Sequence, residues 1–376
     1  MKPPLWPRRA WLSQCLAGLA GAAVALPRSV ASAATNALLS SRIQLPRDHG
    51  SHPDLRTEWW YITGHSGVPA GSTAPRFGFQ LTFFRTRVPN TQNLQSHFAA
   101  RQLLFAHAAV SDLATGKLLH DQRIARAGFG LAEASEHDTD VVLGDWALAR
   151  SQQQGSSRYA ARMQGADFAL DLLLSATQPV LLQGEQGLSR KGPHADNLSL
   201  YITEPQLAVT GSITIGRERF AITASGARAW LDHEASAAIL PEGAVGWDWI
   251  GMNLLDGSAL TAFQLRRPDG STVWAGGSWR AAGGKARAFG PDEVVFEALR
   301  HWASPASGAR YPVAWTVQTP AGPFEVQTLL DAQELDSRAS TGAFYWEGLS
   351  ELRAPGGDVL GLGYLEMTGY AAPLQL

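Results

Sequence analysis

Apolar side chains in this sequence recur at every second position, in short runs that end at glycine or proline. Phe77, Phe79, Leu81 and Phe83 fall on one face of 77–85, and Leu198, Leu200 and Ile202 on one face of 197–203. A run through Leu254 turns at Asp256-Gly257, and a second, from Ser258 to Arg267, breaks at Pro268-Asp269-Gly270. The run from Tyr311 turns at Pro320-Ala321-Gly322 and resumes through Phe324, Val326 and Thr328. Period-two alternation belongs to strands, whereas a helix needs apolar positions three and four apart, and that spacing is nearly absent. Many short strands with such turns predict an all-β chain, an antiparallel sandwich or barrel. No strand–glycine loop–helix unit occurs, which argues against a dinucleotide fold.

The pattern also repeats. Phe168 to Ala176 matches Phe324 to Ala332, and Phe79-Gln80-Leu81 answers Phe263-Gln264-Leu265. Trp59-Trp60 loosely answers Trp247-Asp248-Trp249, and Ala229-Trp230-Leu231-Asp232 answers Gly363-Tyr364-Leu365-Glu366. The matches keep one order while their offsets shrink from 184 to 134. Two tandem antiparallel β-barrel domains are therefore expected, 44–237 and 244–376, joined through Ala235 to Gly243. Closure removes exposed sheet edges, and a barrel of about eight strands can hold one small ligand, as lipocalins do.

The start of the chain reads as an address rather than as fold. Lys2, Arg8 and Arg9 precede an apolar run of eleven residues, Leu16 to Leu26, and Ala31-Ser32-Ala33 offers small residues for cleavage. This is the pattern of a cleaved signal peptide, 1–33, too short to span a bilayer. Arg8-Arg9-Ala10-Trp11-Leu12 also fits a twin-arginine signal. A periplasmic or secreted protein follows, with no transmembrane segment once the signal is gone. Cleavage removes four basic residues and no acid, so the net charge moves from −2 to −6. Without clustered Lys and Arg, nucleic acid is not an expected partner. Cys15 leaves with the signal, which excludes thiol nucleophiles, disulfides and Cys-ligated metals.

No Gly-x-Ser-x-Gly elbow, phosphate loop or His-Glu-x-x-His helix occurs, and no cofactor is implied. Asp48-His49-Gly50-Ser51-His52-Pro53-Asp54 concentrates possible ligands, but without regular structure it reads as a polar lead-in loop, so no metal is expected. The 13 Trp nearly equal the 14 Phe, which suggests a large apolar cavity or broad sheet faces. Glu58-Trp59-Trp60-Tyr61 alternates, placing Glu58 and Trp60 on one face and Trp59 and Tyr61 on the other. One pair reads as core and the other as pocket or domain interface. Asp232-His233-Glu234 can supply an acid or base or tie the domains together, and alternation points His233 away from both acids. Trp247-Asp248-Trp249, Tyr345-Trp346-Glu347 and Gly363-Tyr364-Leu365-Glu366 each set a carboxylate among aromatics. An apolar setting keeps such a carboxyl protonated, and ring faces stabilise a cation.

These motifs, with Asp48-His49-Gly50, resemble those of the AttH-like secreted proteins, grouped with the carotenoid 1,2-hydratases (hydroxyneurosporene synthases). The resemblance spans the mature chain and implies two lipocalin-like β-barrels. Relatives include hydratases of terminal carotenoid alkenes, and secreted members described as predicted secreted hydrolases. Only Asp232 and His233 carry over from the hydratase motif; the place of its tryptophan is taken by Ala235. The expected function is to bind or process a hydrophobic small molecule, lipid or isoprenoid-like, in a Trp-lined cavity in or between the barrels. Its ligand-binding candidates are Glu58, Trp59, Trp60, Tyr61, Trp247, Asp248, Trp249, Trp346 and Tyr364. The alternative is a secreted hydratase or hydrolase using Asp232, His233 and Glu366. A further reading hands lipid to an envelope ABC-type transporter.

Overall fold

In the computed structural model the described residues are 42–67 and 74–374; the segment 1–33, expected from sequence to be a signal peptide, lies outside them. Among them are strands and three short 3-10 turns but no α-helix. The first half opens with β1 (Thr57–Ser66), β2 (Phe77–Arg87), β3 (Gln102–Asp112) and β4 (Lys117–Arg126). It continues with β5 (Ala132–Ala134), β6 (Asp140–Leu143), β7 (Trp146–Gln153), β8 (Ser156–Gln164) and β9 (Phe168–Ser175). Then come β10 (Leu181–Leu182), β11 (Leu188–Arg190), β12 (Leu198–Ile215), β13 (Glu218–Ile222) and β14 (Arg228–Ser236). The second half holds β15 (Gly246–Leu254), β16 (Ala259–Arg266), β17 (Thr272–Arg280), β18 (Ala286–Phe289) and β19 (Val295–Ala303). It ends with β20 (Arg310–Thr319), β21 (Gly322–Thr328), β22 (Glu334–Asp336), β23 (Phe344–Arg353) and β24 (Val359–Met367).

The strands make two antiparallel sheets. Along the first the order is β4-β3-β2-β1-β14-β12-β9-β8-β7-β6-β5, and along the second β18-β17-β16-β15-β24-β23-β21-β20-β19. The orders correspond from β4 and β18 through to β7 and β19, with β6 and β5 extra in the first, and they match β1 with β15, β14 with β24 and β9 with β21, the segments whose sequences answer each other. At one end of the first sheet β3 and β4 come back against β6, so that the sheet nearly closes around its core. The second sheet curls around a core that draws on strands from β15 to β24.

Outer strands such as β8 and β9 alternate buried and open positions, as expected of a sheet with one wet face. Strands β1, β14, β15, β16 and β23 are buried on both faces. One face fills its own barrel and the other meets the opposite sheet, where Tyr61, Trp230, Trp249, Phe263, Leu349 and Tyr364 form a third apolar cluster. Polar contacts stitch this interface. At a bulge in β12, Gln206 takes a left-handed φ of 58°. From there its Nε2 donates to the carbonyls of Leu254 and Ser258, and its backbone N–H to Asn253 Oδ1 at 2.7 Å.

Candidate functional site

Strand pairing sets the site. Tyr61 lies opposite Asp232, Trp60 opposite His233, and Trp59 opposite Glu234. In the second sheet Trp249 lies opposite Glu366, and Glu366 opposite Glu347. Because side chains alternate, each row divides into one set inside the barrel and one set facing the other sheet.

The inward set of the first half is an ion cluster. The buried Glu58 accepts from Arg85 Nε at 2.8 Å, His52 Nδ1 at 2.7 Å and His233 Nε2 at 2.9 Å. Ser51 Oγ and the His52 backbone N–H complete its shell, at 3.1 and 2.9 Å. Burial alone would raise the Glu58 carboxyl, but the two histidines and Arg85 hold it well below its ordinary range. Burial lowers His233, whose ring stacks on Trp60 with centroids 4.8 Å apart. Burial likewise opposes charge on His52, yet hydrogen bonds to Asp48 and Glu58 outweigh it and raise that group. The ligand atoms of His52, Glu58 and His233 lie within 4.8 Å of one another, close enough to hold a metal ion. Both histidines already bond the Oε1 of Glu58 directly, and Arg85 Nε holds Oε2, so the group stands as a buried ion cluster. The second half has a counterpart: Asp248 meets Arg266 Nε at 2.8 Å, Gln264 Nε2 at 2.8 Å and the Tyr370 hydroxyl at 2.9 Å.

The outward sets converge on a cavity of about 110 Å3 between the sheets. Trp59, Tyr61, Trp247, Trp249, Phe84, Phe105 and Phe263 supply aromatic rings to its wall. Against these rings stand Asp232, Glu234, Glu347 and Glu366, with Lys191, Tyr201, Tyr345 and His107. Lys191 Nζ pairs with Glu234 at 3.1 Å and lies over the rings of Tyr201 and Phe263. A wider groove of about 690 Å3, lined by Arg190, Trp274 and neighbours, shares Phe263 with the cavity.

The cavity carboxyls differ in their surroundings. Asp232 accepts from Tyr201 Oη at 2.7 Å and Thr203 Oγ1 at 2.5 Å, and Trp249 Nε1 in turn donates to Tyr201 Oη at 3.1 Å. Burial still raises Asp232 to about 7. Among the described residues Glu347 has no hydrogen bond of normal length on either oxygen. Burial, then the neighbouring Glu366, push it well above the carboxylate range, against weaker pulls from the Tyr61 and Tyr345 hydroxyls. Burial also raises Glu366, against a pull from Trp247, and the charges of Asp232 and Glu234 add to the rise. Two acids facing each other on adjacent strands cannot both ionise in such a place, so the pair retains a proton near neutral pH.

The cavity thus unites Asp232 and Glu366 with Trp59, Tyr61, Trp247 and Trp249. It does not include His233, Glu58, Trp60 or Asp248, which point into the barrels. Trp346 fills the second core, its Nε1 donating to the Asp331 carbonyl at 2.7 Å. Tyr364 stands in the inter-sheet cluster beside the cavity. Ala235 packs with Leu55 and Leu200 away from it. Sequence reasoning singled out Tyr345-Trp346-Glu347 as a carboxylate among aromatics but took only Trp346 from it as a ligand-binding candidate, although alternation puts Tyr345 and Glu347 on the face opposite Trp346. His107, Lys191 and Tyr201 carried no local signal, since only folding brings β3, β12 and the residue after β11 to this wall.

The fold has known counterparts. A Nitrosomonas europaea protein described as an AttH is 47% identical, with a TM-score of 0.79 over 88% of this chain and 98% of its own. Kievitone hydratase from Nectria haematococca shares the fold at 15% identity and a TM-score of 0.66, over 88% and 94% of the two chains. CghA does so at 11% identity and 0.52, over 84% and 88%. Comparison with curated proteins finds no match. Residues 36–370 match the AttH-like model, and the chain belongs to the AttH-like family.

Proposed function

We propose that this protein binds the apolar end of a hydrophobic small molecule in the inter-sheet cavity and delivers a proton to it, as in hydration of an alkene. One observation carries the reading: the carboxyls of Glu347 and Glu366 face each other inside a wall of tryptophan and tyrosine, a setting that favours keeping a proton on the pair. An apolar cavity of about 150 Å3 takes a benzene, so about 110 Å3 suits one branched end of a lipid or isoprenoid-like ligand. In the proposed reaction the acid pair protonates one alkene carbon and the π bond breaks. The ring faces of Trp59, Trp247 and Trp249 steady the cation. Water then forms the C–O bond and loses its proton to the carboxylate left behind. The hydratase fold neighbour is consistent with this chemistry.

The test is incubation with 2-methyl-2-butene in 18O-water. Labelled 2-methyl-2-butanol is expected from the wild type, with a loss of about 10²–10⁴-fold in Glu347→Gln or Glu366→Gln. Saturable binding without label would leave the protein as a carrier, the second reading, which the largely apolar wall favours. The basic start, apolar run and small-residue site support export to the periplasm. Delivery of lipid to an envelope transporter would suit a carrier there.

A further inference from the structure

The hydrogen bonds behind Tyr345 run in one direction, and they can be followed from a fixed end. Gln122 Nε2 donates to the Asp336 carbonyl at 2.7 Å, which orients the amide and leaves its Oε1 as an acceptor. Ser340 Oγ lies 2.6 Å from that Oε1 and 3.1 Å from the Ser337 carbonyl, both pure acceptors, so its single hydrogen goes to one of them. His107 Nε2, 2.8 Å from Ser340 Oγ, must then be the donor of that pair. Burial lowers His107 to about 3, so the ring is neutral and carries only this one hydrogen. Its Nδ1 is bare, and at 2.8 Å it can only accept from the Tyr345 hydroxyl.

Tyr345 therefore has no proton to offer the cavity. A phenol oxygen accepts at two positions. The Gln80 amide approaches this one, and the Glu347 carboxyl stands beside it as a further partner, whose place a water or hydroxyl entering the cavity takes over. Tyr345 stands two residues from Glu347 on the same face of β23.

Resting on the acid-cavity reading above, we propose that Tyr345, with its proton committed to His107, is a positioning residue. It accepts a hydrogen bond from the attacking water, and later from the alcohol product, beside the carboxylate that takes the water's proton. The ligand class this selects is a branched apolar group ending in a hydroxyl rather than a carbonyl or a plain hydrocarbon.

The probes are 2-methyl-2-butanol, the isosteric 2,2-dimethylbutane and the ketone 3-methyl-2-butanone, titrated by tryptophan fluorescence. The wild type should bind the alcohol about 2- to 10-fold more tightly than the hydrocarbon, the range of one net hydrogen bond. Tyr345→Phe should erase that preference. His107→Leu frees the tyrosine proton and should turn the preference toward the ketone, an inversion that loss of packing would not cause. Equal binding of alcohol and hydrocarbon by the wild type, or an unchanged preference in His107→Leu, overturns the proposal. Nitrogen-15 NMR of the full chain gives a second decision that needs no variant to fold. A neutral His107 protonated on Nε2 between pH 5 and 8 is expected, and protonation on Nδ1 overturns it. Neither readout involves alkene turnover, so a failed hydration assay and a failed proposal remain distinct results.

Discussion

Glu58 and Glu347 are both buried glutamates, and their neighbours give them opposite chemistry. Glu58 sits among Arg85, His52 and His233 and stays ionised, whereas Glu347 faces another acid and stays protonated. The first is structural. His233→Ala should cost about 1–3 kcal/mol in a melting curve by removing one donor from a buried carboxylate, while ligand-induced fluorescence stays unchanged. A loss of cavity binding at intact stability would contradict this division. The second leaves a pH signature. Asp232, raised to about 7, and the raised Glu347–Glu366 pair bind protons more tightly when folded than when unfolded. Their contribution is full below the ordinary carboxyl range and is lost as pH rises through the folded-state values. Stability should therefore fall between about pH 5 and 8, on the order of a few kcal/mol, and Glu347→Gln should flatten that slope. Glu58 acts in the other direction, losing its contribution as pH falls toward its lowered value, outside this window. An equal slope in Glu347→Gln would sink the assignment of the retained proton.

Strands buried on both faces make the cavity possible, and their small residues decide how near the sheets come. A Cβ on Gly78 of β2 would lie 2.8 Å from Tyr364 Oη and 2.9 Å from Leu349 Cβ on the opposite sheet. Gly78→Ala should therefore destabilise the fold by about 1–3 kcal/mol through overpacking and weaken probe binding as the wall shifts. Unchanged melting and binding would show that the sheets are free to move apart. The alternation that reveals such strands does not say which face is inside. In β23 the conspicuous Trp346 belongs to the core, and its flanking Tyr345 and Glu347 belong to the cavity.

At the scale of the whole molecule, the segment 1–33 is proposed as an export signal. Replacing Arg8 and Arg9 by Lys should stop periplasmic accumulation through the twin-arginine route while leaving the mature protein's melting curve unchanged. Undiminished accumulation would exclude that route. Period-two alternation, turn residues and repeated segments sufficed to give an all-β chain with two halves of like order. Each of these is local: it depends on neighbours along one strand or on comparing one stretch with another. The same alternation separated His233 from Asp232 and Glu58 from Trp59 before any tertiary contact was known. Which of those faces meets solvent, core or the other sheet depends on surfaces far apart in the chain. Only the docking of β1 and β14 against β15 and β24 made Asp232, Glu347 and Glu366 cavity acids and turned the Tyr345 hydroxyl toward His107, 238 residues away. Burial and proton affinity belong to the assembled space between the sheets, and a linear pattern contains no record of that space.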